Sequence, residues 1–209
     1  MRVPARKIKK SAVKNIVRFA PIKSNNGKSI LVESILESKY CLHMEFDPNV
    51  ISYFPQPKTF NLGDDEPRVS YTPDFEVNMV DGSLLFVEVK PEYRARSEYY
   101  QKVFSHFKSY LDGTNAKFLL VSESDIDAQP LLSNYQKLYR FRKRPEIATE
   151  QLYHFASANN SPLILKDLLN TIDNEVSIRQ VYSWIANDFL KFDIHSTELN
   201  IESEVWFDV

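Results

Sequence analysis

Two apolar, β-branched segments, 69–79 and 84–89, lie on either side of Asp81-Gly82, and this pairing constrains the fold more than anything else in the chain. Asp81-Gly82 looks like a tight hairpin turn, in which a glycine can take the positive φ that such turns call for. The segments are therefore predicted to form an antiparallel hairpin. Around it, helical spacing runs through Val32, Ile35, Leu36 and Tyr40, already under way before Ser34, and stops at the turn-like Asp47-Pro48. Residues 50–62 read as extended, interrupted by Pro55 and Pro57. Residues 92–111 carry Tyr99, Val103, Phe104, Phe107 and Leu111 at helical intervals, with Gly113 as a stop signal. A short apolar strand over 116–121 and a helix over 130–139 follow. This order (helix, three strands, helix, strand, helix) predicts an α/β (α+β) domain, a mixed sheet flanked by helices.

Beyond Pro145 the character changes. Residues 150–158, 163–172 and 178–189 are predicted helical, and 190–194 and 203–209 read as short strands. Short helices, a turn and a terminal hairpin suggest a small winged-helix-like domain. Its supposed recognition helix holds Arg179 and Gln180 but also Asp188, with no basic stripe, which favours a protein-facing wedge over a major-groove reader. The expected organisation is a basic arm over 1–30, a catalytic domain over 31–145 and a partner-binding domain over 146–209.

Charge divides along the same lines. The formal net charge of -2 resolves into +9 for residues 1–30, -3 for 31–145 and -8 for 146–209. A polycationic arm suits a polyanion, because each neutralised phosphate releases counterions. Arg6, Lys7, Lys9, Lys10, Lys14 and Arg18 are the candidate DNA contacts, with a solvated tail as the plainer alternative. A second basic cluster, Lys137, Arg140, Arg142, Lys143 and Arg144, would either touch a DNA backbone or form the polar end of a helix. The acidic last third should avoid DNA and face a protein. The single cysteine, Cys41, excludes a disulfide framework and any multi-thiolate metal site. No apolar run has the length of a membrane span, and the charged N-terminus lacks a signal-peptide core, so a soluble, cytoplasmic protein is expected.

The chemistry-bearing pattern sits on the hairpin. Tyr71-Thr72-Pro73-Asp74-Phe75 is followed, across the turn, by Glu88-Val89-Lys90-Pro91. Strand alternation puts Glu88 and Lys90 on one face and Val89 in the core. Two carboxylates and an ammonium on one face oppose apolar packing, whereas phosphodiester hydrolysis can use all three. Hard oxygen ligands hold Mg²⁺, and the lysine positions the attacking water. A lone Glu-x-Lys is ordinary surface charge. Joined to Pro-Asp, the hairpin and a following helix, it forms the PD-(D/E)xK pattern of restriction-like nucleases. A further acid is expected from the preceding helix, where Glu33 and Glu37 share a face. Glu37 reads equally as a capping-box partner of Ser34, and Glu33 as solvated surface.

The strings Glu33-Ser-Ile-Leu-Glu37, Met44-Glu-Phe-Asp-Pro48, Gln56-Pro57, Tyr71-Thr-Pro-Asp-Phe75 and Val87-Glu-Val-Lys-Pro91 together resemble TnsA, the endonuclease subunit of heteromeric cut-and-paste transposases. The resemblance implies a restriction-endonuclease-like core in a bacterial protein that cleaves the 5′ ends of a transposon, on the non-transferred strand. It implies a TnsB-type transposase and a TnsC-type AAA+ ATPase as partners. It places the first acid of the site on Glu37, the aspartate on Asp74 and the lysine on Lys90, while Glu88 follows the more general nuclease pattern. The expected catalytic set is Glu37, Asp74, Glu88 and Lys90, with the three acids on Mg²⁺ and Mn²⁺ as a substitute ion. Some relatives have Gln at the position of Glu88. Glu33 and Gln56 are accessory candidates, the latter as a phosphate or metal-water contact or as an ordinary edge-strand amide. A stand-alone restriction or repair nuclease and a non-cutting DNA–ATPase adaptor are the competing readings. His43, His106, His154 and His195 show no ligand spacing. Trp184 and Trp206 are expected in the C-terminal core, and Tyr99 and Tyr100 as possible lining of a DNA groove.

Overall fold

The computed structural model of the protein describes residues 3–5, 15–62, 69–159, 161–171 and 176–209. Among them no helix is long and apolar enough to cross a membrane. Contacts divide the chain into two compact units that meet between Asp127 and Ala128.

The first unit opens with an antiparallel hairpin of β1 (Val17–Phe19) and β2 (Ile30–Val32). There follow α1 (Ile35–Phe46), β3 (Val50–Pro55), β4 (Phe60–Leu62), β5 (Val69–Tyr71), β6 (Phe75–Met79), β7 (Leu84–Val89), α2 (Glu92–Ala95), α3 (Glu98–Leu111), β8 (Ala116–Val121) and α4 (Glu123–Ile126). The central sheet has the order β3-β6-β7-β8, antiparallel throughout except for the parallel β7–β8 pair. The expected mixed sheet with flanking helices is present. The β6–β7 turn is built by Asp81 and Gly82: Gly82 sits at φ 79°, and Asp81 Oδ1 accepts from the Ser83 N–H and Oγ.

Each face of the sheet carries its own core. Cys41 and Met44 of α1 pack with Val50, Tyr53, Phe75, Val77, Val87 and Val89. On the other face Val103, Phe104, Phe107 and Leu111 of α3 pack with Phe60, Leu62, Tyr71 and Phe86. Alternation along β7 does this sorting, sending Val87 and Val89 to one core and Phe86 to the other. Glu45, fully buried, accepts from the N–H groups of Ile22 and Lys23 and from Tyr53 Oη, so it ties the N-terminal loop to α1 and β3.

Several expectations shift. The basic arm does not extend to residue 30: β1 and β2 are folded into this unit, with Ile30 and Val32 in its core. Val32 lies in β2, and α1 begins only at Ile35 with Ser34 as its N-cap. The segment 69–79 is two strands. It leaves the central sheet at Thr72–Asp74, and β5 pairs with β4 in a separate ribbon. The helix over 92–111 is broken between α2 and α3, where Ser97 caps the longer piece.

The second unit contains α5 (Leu131–Lys143), α6 (Thr149–Ala158), β9 (Leu163–Ile164), α7 (Leu165–Thr171), α8 (Ile178–Ala186), β10 (Leu190–Lys191) and β11 (Glu204–Phe207). Its sheet is antiparallel, in the order β10-β11-β9. The boundary expected at 145/146 moves to 127/128 because α5 is bound into this unit. Asn134 is fully buried, donates to the carbonyls of Ile194 and Thr197, and accepts from the Leu199 N–H. The Phe141 ring stacks on Tyr182 of α8. In the basic cluster, Lys137 donates to the Leu199 carbonyl and Arg142 to that of Ala186, so both serve the unit's own packing. Trp184 is in the core as expected. Trp206 is not, because β11 alternation turns it outward while Val205 points in.

Candidate active site

Two local breaks in regular structure create the site. At Thr72–Asp74 the chain crosses from the β4–β5 ribbon to β6, and Asp74 lands one residue before the strand. At the end of β7, Glu88 is the penultimate strand residue and Lys90 lies just past it. A cleft of about 470 Å³ opens there, with Glu37, Asp74, Glu88 and Lys90 all on its walls. Residues distant in sequence are thus brought together as their spacing suggests.

Donors hold each acid. Asp74 is buried, and its Oδ2 accepts from the Val89 N–H at 2.9 Å. Glu88 accepts from Tyr71 Oη at 2.9 Å on one oxygen and pairs with Lys90 Nζ at 2.6 Å on the other. The same ammonium stands 3.5 Å from Asp74 Oδ2. Glu37 both takes part in the helix cap and lines the cleft. It reciprocates with Ser34 in a capping arrangement: the Glu37 N–H donates to Ser34 Oγ, and Ser34 Oγ donates to Glu37 Oε1 at 2.8 Å. Its other oxygen accepts from the Glu33 N–H at 2.9 Å. The cap fixes the carboxylate, and the fixed carboxylate faces the cleft. Glu33 itself precedes α1, so it does not share a helix face with Glu37, although it lines the cleft.

The electrostatics are those of crowded, desolvated acids. Burial, and after it the Asp74 carboxylate, push Glu37 up to about 8. Burial and Asp74 likewise push Glu88 up to about 7, against the opposing pull of Lys90. Burial works against the Lys90 charge, but Asp74 and Glu88 outweigh it and hold the ammonium above the ordinary lysine range. Such shifts mark sites where charge is gathered for a task.

The donor set suits a hard divalent cation. All its atoms are carboxylate oxygens, and two of the acids already share one cationic partner, the Lys90 ammonium. No group of three His, Cys, Asp or Glu side chains among the described residues is already arranged as a metal-ligand cluster. The four histidines stay outside the site. His43 accounts for itself by contacting the Ile126 carbonyl.

Tyr71 lines the cleft and reaches Glu88, a contact that its place in the motif does not announce. Its strand position two residues before Pro73 was visible, but its reach to Glu88 depends on β5 leaving the sheet. Gln56 does not reach the cleft wall. Its N–H donates to the Asp74 carbonyl, its φ is 46°, and its amide is fully buried with neither Oε1 nor Nε2 partnered among the described residues. An unpaired buried amide costs on the order of 1–3 kcal/mol, so Gln56→Met is expected to stabilise the protein by about 1–2 kcal/mol in a denaturant titration. A loss of stability instead would show that the amide is paired in solution.

Of the candidate DNA contacts, Arg18 is exposed on β1, and Arg6, Lys7, Lys9, Lys10 and Lys14 lie outside the described residues. Their neighbours on either side are placed: the Ala5 N–H donates to the Gln56 carbonyl, and Asn15 lines the cleft.

Residues 47–123 match the family model of the TnsA-like endonuclease N-terminal domain. That span holds Asp74, Glu88 and Lys90 and leaves Glu37 just outside it. No curated protein matches the chain.

Proposed function

The chain carries a TnsA-like endonuclease domain, and from that premise we propose that it is a metal-dependent DNA endonuclease of a transposition machinery, cutting the 5′ ends of the element on the non-transferred strand. The observation that carries this reading is the convergence of Glu37, Asp74, Glu88 and Lys90 on one cleft. Asp74 and Glu88, with Glu37 completing the shell, would hold Mg²⁺ or Mn²⁺, which neutralises charge at phosphorus and acidifies a bound water. The protein's own part is orientation. The Val89 N–H aims Asp74, Tyr71 aims Glu88, and Ser34 with the Glu33 N–H aims Glu37. Lys90 aligns the water that attacks phosphorus, leaving a 5′-phosphate and a 3′-hydroxyl.

Double-stranded transposon-end DNA would lie along the basic residues Arg6, Lys7, Lys9, Lys10, Lys14 and Arg18. The placement of Asn15 on the cleft wall supports this reading. The second unit, acidic from Glu146 onward, would act as the winged-helix-like module that meets a TnsB-type transposase and a TnsC-type ATPase in the bacterial cytoplasm.

The test is strand-specific cleavage mapping on transposon-end DNA with Mg²⁺, with and without the two partners. Asp74→Ala and Lys90→Ala are each expected to reduce 5′-strand cleavage by on the order of 100-fold or more while DNA binding persists. Unimpaired cleavage by Asp74→Ala would sink the assignment.

A further inference from the structure

The ridge formed by α2 and the start of α3 borders the same cleft, and its composition is not explained by cutting chemistry. Tyr93 and Tyr99 are 69% and 62% exposed, and both line the cleft that holds the acids. Arg94 lies over the Tyr93 ring at 5.7 Å, donates to Tyr93 Oη, and makes no ion pair among the described residues. The neighbouring charges are otherwise engaged: Arg96 with Glu92, and Lys102 with Glu98. Tyr99 packs edge-on against Tyr100, whose ring stands 5.8 Å from Lys90 Nζ. Aromatic surface therefore runs without a gap from the site lysine to the mouth of the cleft.

One exposed tyrosine is unremarkable on a protein surface. Two of them, with an arginine, at the mouth of a cleft that gathers three acids and a lysine form the combination that single-stranded nucleic acids bind. Flat rings take the faces of bases, and the cations take the phosphates. In an intact duplex the base faces are covered by their neighbours, so these rings can be used only by a base that has left the stack. Resting on the endonuclease reading above, we propose that the Tyr93–Arg94–Tyr99 ridge is a subsite for an unstacked nucleobase beside the scissile phosphate. The preferred substrate is then DNA with a frayed, nicked or overhanging end at that position.

Binding of the full chain to a short blunt duplex and to the same duplex with a single-stranded overhang, without divalent cation, tests this. The unaltered chain is expected to prefer the overhang. Stacking energies of about 1–3 kcal/mol per base correspond to roughly 5- to 150-fold in affinity, so Tyr99→Ala should lose about 10-fold or more on the overhang and change little on the blunt duplex. Tyr99→Phe keeps the ring and is expected to keep the preference. Equal binding of both DNAs by the unaltered chain overturns the subsite. So does a Tyr99→Phe variant that behaves like Tyr99→Ala, since the hydroxyl would then be contacting phosphate. Because Tyr99 is exposed, both substitutions leave the cores intact. A chain that cuts transposon ends but does not discriminate refutes the subsite alone. One that neither binds nor cuts DNA refutes the endonuclease reading as well.

Discussion

Lys90→Met is expected to destabilise the metal-free protein at pH 8 by about 3–5 kcal/mol, the usual cost of removing one partner from a buried ion pair. The Lys90 side chain is only 17% exposed, and the two acids it serves are nearly inaccessible, so water offers little screening. Asp74→Asn should act in the opposite direction on stability while abolishing cleavage, because Asp74 is the acid that raises both Glu37 and Glu88. Both glutamates bind their protons more tightly in the folded protein than in the unfolded chain. Their contribution is therefore fully present below an ordinary carboxyl pKa of about 4.5 and is lost as pH rises through about 7 for Glu88 and about 8 for Glu37. The melting temperature of the metal-free protein should fall between pH 5 and pH 8, and Asp74→Asn should flatten that fall. The Lys90→Met penalty should shrink toward pH 5, where a protonated Glu88 no longer needs a counter-charge. A melting temperature that rises over this window, or a Lys90→Met protein as stable as its parent at pH 8, would contradict this account of the site.

Phe107→Ala should cost about 3–5 kcal/mol, the range for emptying a fully buried aromatic position. Phe107 is wholly inaccessible and lies at the centre of the second core, with ring centroids of Phe60, Tyr71 and Phe86 at 4.9, 4.8 and 5.6 Å. Edge-to-face contacts of this kind add to the area term, so the loss exceeds what burial alone would give. The effect reaches function, because Tyr71 both packs on Phe107 and donates to Glu88. Denaturant unfolding followed by tyrosine fluorescence or circular dichroism measures the stability. Loss below about 1 kcal/mol would mean that the α3 face is not a packed core. Phe107→Leu, which keeps most of the volume, should recover much of the stability.

Much of the site was legible in the chain because its rules are local. Asp-Gly with positive φ at Gly82 makes the hairpin, and strand alternation separates Glu88 and Lys90 from Val89. The helical spacing of Val103, Phe104, Phe107 and Leu111 fixes which side of α3 is buried. The Ser34–Glu37 spacing also announced a cap, although the chain alone could not say that the capping carboxylate would face the cleft as well. The start of α1 differs from the expectation for a simple reason: Val32 continues the helical period of Ile35, Leu36 and Tyr40 while belonging to a strand. The boundary at 127/128 was invisible because Asn134 finds its partners 60 or more residues away, at Ile194, Thr197 and Leu199.

The near-neutral total charge resolved, from residue order alone, into a cationic start, a carboxylate-bearing middle and an acidic end, and the motif spacing named Asp74, Glu88 and Lys90. What the sequence could not determine was proximity. Glu37 joins Asp74 only because α1 packs on the sheet, and Tyr71 reaches Glu88 only because β5 turns away from it. Lys90 meets both acids because its strand ends where the chain at Asp74 crosses over. Periodicity along a chain dictates which way a side chain points, whereas the distance between two side chains is decided by how the elements pack.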